Sequence, residues 1–314
     1  MNKDLLSIKD LKVSEIKRLF SLTRELKKRR KRGEKIIHLL DGKNLGLLFE
    51  KPSTRTRISF EIAMRELGGN SLFLPSEQMQ MKRGETIEDT GRVLSGYLDG
   101  LVFRTYNHQI LTKLARASTI PVINGLSDLL HPCQVLSDMF TIERKKGDLK
   151  SIKLVFVGAG NNVCNSWIYA SAKMDIHLVV SSPRSYQPER KILEECRKMN
   201  PACHIELVHE VYEAVKGADI IYTDVWVSMG EEQEREKRME AFRDFQVNQR
   251  LLQLAKKDVL VMHCLPAHRG EEIASDVLDG PHSIVWEEAE NRLHLQKALL
   301  VMLLGEGNGQ YHNE

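Results

Sequence analysis

The stretch Leu45 to Glu61, L-G-L-L-F-E-K-P-S-T-R-T-R-I-S-F-E, gathers more anion-binding groups than any other part of the chain. Leu45 to Phe49 suit a buried strand, Pro52 fixes a turn, and Ser53 and Thr54 stand where the N-cap of a following helix belongs. A strand feeding a helix N-terminus presents unpaired backbone N–H groups at one point, and the helix dipole adds partial positive charge there. Ser53, Thr54 and Thr56 add hydroxyl donors, while Arg55 and Arg57 add planar forks that match phosphate oxygens. The chemistry on offer is phosphate binding, weighed against an ordinary capped helix with two surface arginines. Ile58 and Ile62, four residues apart, predict the face that this helix packs on a sheet.

The elements that must position these groups follow from hydrophobic patterning. Leu5 to about Lys31 reads as one or two amphipathic helices burying Leu11, Ile16, Leu19, Phe20 and Leu26. The run Lys27 to Arg32, K-K-R-R-K-R, is a solvated helix end complementing the dipole, with a nucleic-acid patch as the rival reading. Strands at Ser71–Leu74, Leu101–Arg104 and Ile120–Asn124 alternate with helices, Thr86–Leu98 among them, in the β-α-β rhythm of a parallel sheet. Ligands gather at the C-terminal ends of such strands. Arg104 ends one strand and His131-Pro132-Cys133-Gln134 follows another, on the edge that carries Ser53 to Arg57.

Pro132 opens a helix to about Lys145 that bridges to a second set of β-α units. Its strands are Lys153–Val157, His177–Ser181, Ile205–Val208, Ile220–Thr223 and Val259–His263. The turn Gly158-Ala159-Gly160-Asn161-Asn162 is a poor dinucleotide fingerprint, since Val163 stands where the third glycine belongs and Ser181 and Ser182 close the next strand where an acidic residue belongs. The motifs D-V-W-V-S-M-G (Asp224 to Gly230) and H-C-L-P (His263 to Pro266) interrupt the rhythm at strand ends. Glu231 to Glu240 mixes charges and reads as a solvated helix, and a last helix runs from about Arg292 to Leu304 before a frayed tail. The expectation is an α/β protein of two domains, each a central parallel sheet flanked by helices. The boundaries are 1–146, 147–290 and a C-terminal segment 291–314 returning to the first domain.

Composition narrows the partners. With 314 residues, 42% hydrophobic residues and a net charge of +3, the chain has core enough for two domains and too little charge to argue for nucleic acid. No apolar run approaches the ~20 residues that span a bilayer, and M-N-K-D-L-L-S lacks the apolar core of a secretory leader. Five cysteines, Cys133, Cys164, Cys196, Cys203 and Cys264, in no metal-like pairing read as free thiols in a reducing cytoplasm. No nucleic-acid or membrane partner is expected.

S-T-R-T-R, H-P-C-Q, D-V-W-V-S-M-G and H-C-L-P-A-H-R-G-E-E occur in the order and spacing of the aspartate/ornithine carbamoyltransferase family. The chain resembles that family from about Leu5 to Leu304. The S-M-G and H-C-L-P pair resembles its ornithine-using branch. The resemblance implies transfer of the carbamoyl group of carbamoyl phosphate to L-ornithine through a tetrahedral intermediate, giving L-citrulline and phosphate, in arginine biosynthesis or catabolism. It implies no cofactor and no metal, and a homotrimer or a multiple of trimers. Ser53, Thr54, Arg55 and Thr56 would hold the phosphate, joined by Gln80, often from a neighbouring subunit, and by Arg292. Arg104 and His131 would donate to the carbonyl oxygen and Gln134 would accept from the carbamoyl NH2. Asp224, Asn162, Ser228 and Met229 would hold the amino-acid head of ornithine. Cys264 and the Leu265 carbonyl would face its δ-amine, with the thiol helping to take up a proton. The catalytic set is then Arg55, Arg104, His131, Gln134 and Cys264. An aspartate substrate would need cationic groups that Asp224, Ser228 and Cys264 do not offer.

Ala159 and Lys82 depart from the family pattern, so putrescine or an N-acylornithine remains an alternative acceptor, and a catalytically silent regulatory relative an alternative class.

Overall fold

The computed structural model describes residues 1–228 and 230–305, without the side chain of Lys82. The chain divides into two compact units, Met1–Ser137 with Asn291 onward, and Asp138–Glu290. The first division falls inside the helix that opens at Pro132, and the second inside the last helix.

The first unit contains α1 (Val13–Lys31), β1 (Asn44–Phe49), α2 (Arg55–Glu66), β2 (Asn70–Pro75), α3 (Ile87–Ser95), β3 (Gly100–Arg104), α4 (His108–Ala117) and β4 (Val122–Leu126). Its four strands are all parallel, in the order β2-β1-β3-β4. β3 is buried along its whole length, as expected where helices cover both faces of a sheet. The five apolar residues predicted to anchor the first helix are all buried. That helix begins only at Val13, after a short 3-10 turn at Ile8–Asp10.

In α2 the expected packing face is corrected. Ile58 is 51% exposed, and Phe60, Ala63 and Met64 are buried instead. Ile58 lies about 200° from Phe60 around the helix, so it cannot share the buried stripe.

α5 (Pro132–Lys146) leads into the second unit, which contains β5 (Lys153–Val157), α6 (Asn162–Met174), β6 (His177–Ser181), α7 (Arg190–Met199) and β7 (Ile205–Val208). It continues through α8 (Val211–Ala214), β8 (Ile220–Thr223), α9 (Arg235–Ala241), α10 (Gln249–Leu252), β9 (Leu260–His263) and α11 (Ser275–Leu278). The five strands are parallel in the order β7-β6-β5-β8-β9. Among the described residues, no helix is long and apolar enough to cross a membrane.

α12 (Val285–Leu304) begins seven residues before the sequence suggested. From Asn291 onward it belongs to the first unit. Leu304 packs so closely on β3 that a Cβ added at Gly100 would sit 2.7 Å from its Cδ2. Buried Lys297 donates to Glu66 at the end of α2 at 2.8 Å, and Arg30 of α1 reaches the same carboxylate at 2.8 Å. Lys27 donates to Asn291 at 2.5 Å, and Arg29 pairs with Glu34. Half of the basic run Lys27 to Arg32 is therefore engaged in intramolecular bonds, and two of these tie α1 to the α2–α12 region.

Burial favours a neutral Glu66, yet the hydrogen bonds from Lys297 and Arg30 outweigh it and hold the carboxyl below its ordinary value. A depressed carboxyl stabilises the fold above the unfolded pKa and loses that contribution as pH falls through the folded one. Glu66→Ala is expected to leave a buried ammonium uncompensated and to lower the unfolding free energy at neutral pH by about 3 kcal/mol. Replacing the pair together, Glu66→Leu with Lys297→Met, should recover most of the loss. Urea titration of the three proteins checks both statements.

Candidate active site

In an open parallel sheet a crevice forms where connections leave two neighbouring strands in opposite directions. In the first sheet that point lies between β1, whose chain goes on to β2, and β3, whose chain goes on to β4. Phe49 pairs with Arg104 there, and the Glu50 N–H donates to the Arg104 carbonyl at 2.8 Å. The Ser53–Arg57 turn and Arg104 thus emerge side by side. Ser53 Oγ accepts from the Thr56 N–H at 3.2 Å, which makes Ser53 the effective cap, although Thr54 holds the cap position. Arg292 of α12 donates from Nη2 to Thr56 Oγ1 at 2.7 Å.

His131 and Gln134 flank the start of α5 and are both buried. Burial, and then the charges of Arg292, Arg104 and Arg55, hold the His131 imidazole well below its ordinary pKa. Three guanidiniums thus act on one neutral imidazole. A polyanion with a carbonyl to polarise suits this group: the guanidiniums take the anion, and the neutral ring can donate without itself carrying charge.

Arg57 does not join them, because it pairs with Glu61 at 2.9 Å and lies over the Phe73 ring at 3.7 Å. Gln80 sits exposed on the 3-10 turn Gln80–Arg83, and its side chain makes no hydrogen bond among the described residues.

The second sheet reverses between β5 and β8. The Gly158–Asn162 turn leaves β5, Asp224 leaves β8, and Cys264 leaves β9. Thr223 pairs with His263, so the residues that follow them, Asp224 and Cys264, fall together. The Cys264 thiol donates to Asp224 Oδ1 at 2.9 Å, and Asn161 donates to Asp224 Oδ2 at 2.6 Å. Burial, and then the charge and hydrogen bond of Asp224, push the Cys264 thiol well above its ordinary value. The group is therefore a thiol at neutral pH, which disfavours it as a proton acceptor before substrate binds.

Gly160 is required in this turn, since a Cβ there would sit 2.3 Å from the Pro188 backbone nitrogen. Asn162 is the first residue of α6 and is partly buried; it is its neighbour Asn161 that touches Asp224. The Ser228 N–H donates to Glu231 at 2.9 Å, and Met229 lies outside the described residues.

Beneath Asp224 and Cys264 lies a buried layer that sequence reasoning missed. His263 Nδ1 accepts from the Leu265 N–H at 2.8 Å, so the ring proton sits on Nε2 and is donated to Glu272 at 3.0 Å. This bond holds Leu265 in a left-handed conformation, φ 58°, that costs a non-glycine residue about 1–3 kcal/mol. The His263 N–H donates to Glu288 at 3.0 Å, and the Tyr222 hydroxyl donates to Asp138 at 2.9 Å. Burial and the Asp138 charge push the Glu288 carboxyl well above its ordinary range. Tyr222 could have been suspected from the period of a strand, two residues before Asp224 and on the same face. Glu272 closes the H-C-L-P-A-H-R-G-E-E stretch nine residues after His263, whereas Asp138 and Glu288 come from distant segments and carry no local signal.

Comparison with known proteins matches residues 3–144 to the aspartate/ornithine carbamoyltransferase carbamoyl-P binding domain and residues 150–303 to the Asp/Orn binding domain of the same family. An ornithine carbamoyltransferase of Syntrophus aciditrophicus is 52% identical over 97% of this chain and all of its own length. One from Pyrococcus horikoshii is 50% identical over 96% of both chains. The solved structure of ornithine carbamoyltransferase from Pyrococcus furiosus superposes with a TM-score of 0.93 at 49% identity, covering 97% of each chain.

The His131 environment generates a direct test. Its imidazole should show no titration between pH 6 and 8 by NMR of labelled histidine. Arg292→Ala removes one of the charges that depress it, so the pKa should move up toward the ordinary ~6.5. A normal histidine titration in the unsubstituted protein would contradict the arrangement.

Proposed function

We propose that this chain, which belongs to the aspartate/ornithine carbamoyltransferase family, transfers the carbamoyl group of carbamoyl phosphate to the δ-amine of L-ornithine, giving L-citrulline and phosphate. The observation that carries the reading is the gathering of Arg55, Arg104 and Arg292 around a neutral His131.

Carbamoyl phosphate is held by the first unit. Ser53, Thr54, Arg55, Thr56 and Arg292 take the phosphate oxygens. Arg104 and His131 donate to the carbonyl oxygen, where negative charge grows as the amine adds. Gln134 accepts from the carbamoyl NH2 and so fixes which face of the carbonyl is presented. Collapse of the tetrahedral intermediate expels phosphate into the charges that bound it.

Ornithine is held by the second unit. Asp224 pairs with the α-ammonium, Asn162 and the Ser228–Met229 segment hold the head group, and Cys264 with the Leu265 carbonyl receives the δ-amine. Asn161 keeps the Asp224 carboxylate turned to this task. The assembly is a cytoplasmic homotrimer working in arginine metabolism. An exposed Gln80 suits a role across a subunit boundary, and five cysteines that form no disulfide among the described residues suit a reducing compartment.

Rates with ornithine, putrescine, N-acetylornithine and aspartate test the assignment, and ornithine should lead by a wide margin. Arg55→Ala should remain folded and lose about 10²–10⁴-fold in kcat/KM, the scale of other electrostatic stabilisers. Turnover near the unsubstituted level with normal circular dichroism would remove the Ser53–Arg57 turn from the mechanism.

The δ-amine must shed a proton that titrates near ~10.4 before it can attack. kcat/KM for ornithine should therefore rise from pH 6 to 8. Because the Cys264 thiol is held protonated, Cys264→Ser should raise the ornithine KM without removing that rise or weakening carbamoyl phosphate binding. A profile and ornithine KM unchanged in Cys264→Ser, with carbamoyl phosphate affinity damaged, would place Cys264 elsewhere.

A further inference from the structure

Three chemistry-bearing residues stand at the end of the second sheet away from the catalytic groups. His177 is the first residue of β6, His204 immediately precedes β7, and Glu206 is the second residue of β7. The register pairs Leu178 with Ile205. His177 therefore lies opposite His204, and Glu206 is two residues further along the strand, so alternation puts all three side chains on one face. The strands run away from this end, and Asp224 and Cys264 follow their C-terminal ends, roughly 15 Å further on for strands of this length.

The three side chains converge. His177 Nε2 lies 2.7 Å and His204 Nε2 2.8 Å from the same Glu206 oxygen. The two imidazole rings stack at 3.7 Å with an interplanar angle of 3°. Two imidazole nitrogens and one carboxylate oxygen thus meet at a single point, within 4.8 Å of one another.

We propose that His177, His204 and Glu206 form a surface site for a divalent transition ion of the zinc class, separate from the catalytic groups. Two imidazoles and a carboxylate are the donor set of borderline ions such as Zn2+, with water completing the shell. In a tetrahedral shell with bonds of about 2.1 Å, neighbouring ligand atoms stand roughly 3.4 Å apart. From 2.7 and 2.8 Å each nitrogen–oxygen distance needs to grow by under 1 Å, and the parallel rings need to tilt so that both Nε2 lone pairs meet at one ion, within the reach of a Glu206 side chain that is 46% exposed.

One charge opposes the ion. Lys153 lies in register beside His177 on β5, but its ammonium is drawn aside to the Lys216 carbonyl at 2.7 Å. Because β7 is the edge strand, the ion would pin it to β6 and steady the rim of the sheet.

Two other clusters could take up zinc and must be separated. Asp224, His263 and Cys264 belong to the acceptor site, while in the group of His268, Glu271 and Glu272 the Glu272 Oε1 already accepts from His263 and from the His268 N–H. The full-length protein is dialysed against micromolar ZnCl2 and bound zinc is counted by mass spectrometry. The unsubstituted protein and Cys264→Ser should each retain one equivalent that His204→Ala and Glu206→Gln both lose. Zinc should raise the melting temperature of Cys264→Ser but not that of the double variant Cys264→Ser/His204→Ala. His204→Ala should keep its circular dichroism and its citrulline formation, since it touches no substrate group. The proposal is overturned if His204→Ala binds as much zinc as the unsubstituted protein, or if Cys264→Ser binds none.

Discussion

Bringing three guanidinium groups around one buried imidazole is a Coulombic burden, and much of the first unit answers to it. Like charges that share a site repel, the more so as burial lowers the effective dielectric. The arrangement persists because each arginine is delivered by a different rigid element: Arg55 by the start of α2, Arg104 by the end of β3 and Arg292 by α12. The last is the farthest in sequence and is secured most heavily. Lys297 with Glu66, Lys27 with Asn291 and the contact of Leu304 with Gly100 hold α12 against α1, α2 and the sheet. In the proposed reaction the substrate's phosphate would supply negative charge to these guanidiniums, and part of its binding energy would be repulsion relieved.

The second unit solves the opposite problem. Asp138, Asp224, Glu272 and Glu288 are four buried carboxyls. They are accommodated by hydrogen bonds from Tyr222, Asn161, the Cys264 thiol and His263, and in Glu288 by a carboxyl whose pKa burial pushes well up. Asp224, at the end of β8, has donors on both oxygens, so its orientation is set before a cation arrives.

Much of this was legible because local chemistry announced it. Strand ends could be read from short apolar runs, and the Ser53–Arg57 turn from the clustering of donors. Ile58 misled because two isoleucines four apart suggest a buried stripe, whereas the residues that pack were Phe60, Ala63 and Met64, in a different phase. The start of α12 was missed for a related reason: charged Glu287 in its first turn looks like loop but complements the helix dipole. Arg57 misled because a guanidinium is equally at home on a carboxylate and an aromatic face, and Glu61 and Phe73 were both within reach. Asp138 and Glu288 could not be found from spacing at all. Their roles exist only through partners brought together by the fold, and a buried carboxyl in sequence looks like any other.

The two halves converge on a shared electrostatic strategy. Arginine charge and burial keep His131 from becoming a cation, while Asp224 and burial keep Cys264 from becoming an anion. Both groups that would stand nearest the reacting atoms are therefore neutral in the resting protein, for opposite reasons. A neutral imidazole donates a hydrogen bond to a developing oxyanion without first having to gain a proton, and a neutral thiol presents no fixed charge that would trap an ammonium in its unreactive form. In the proposed reaction the charges that change are those of the substrates: the amine that sheds its proton, the carbonyl oxygen that gains and loses charge, and the departing phosphate. On that proposal the ionisation of the attacking amine, rather than of either of these two protein groups, governs how the rate responds to pH.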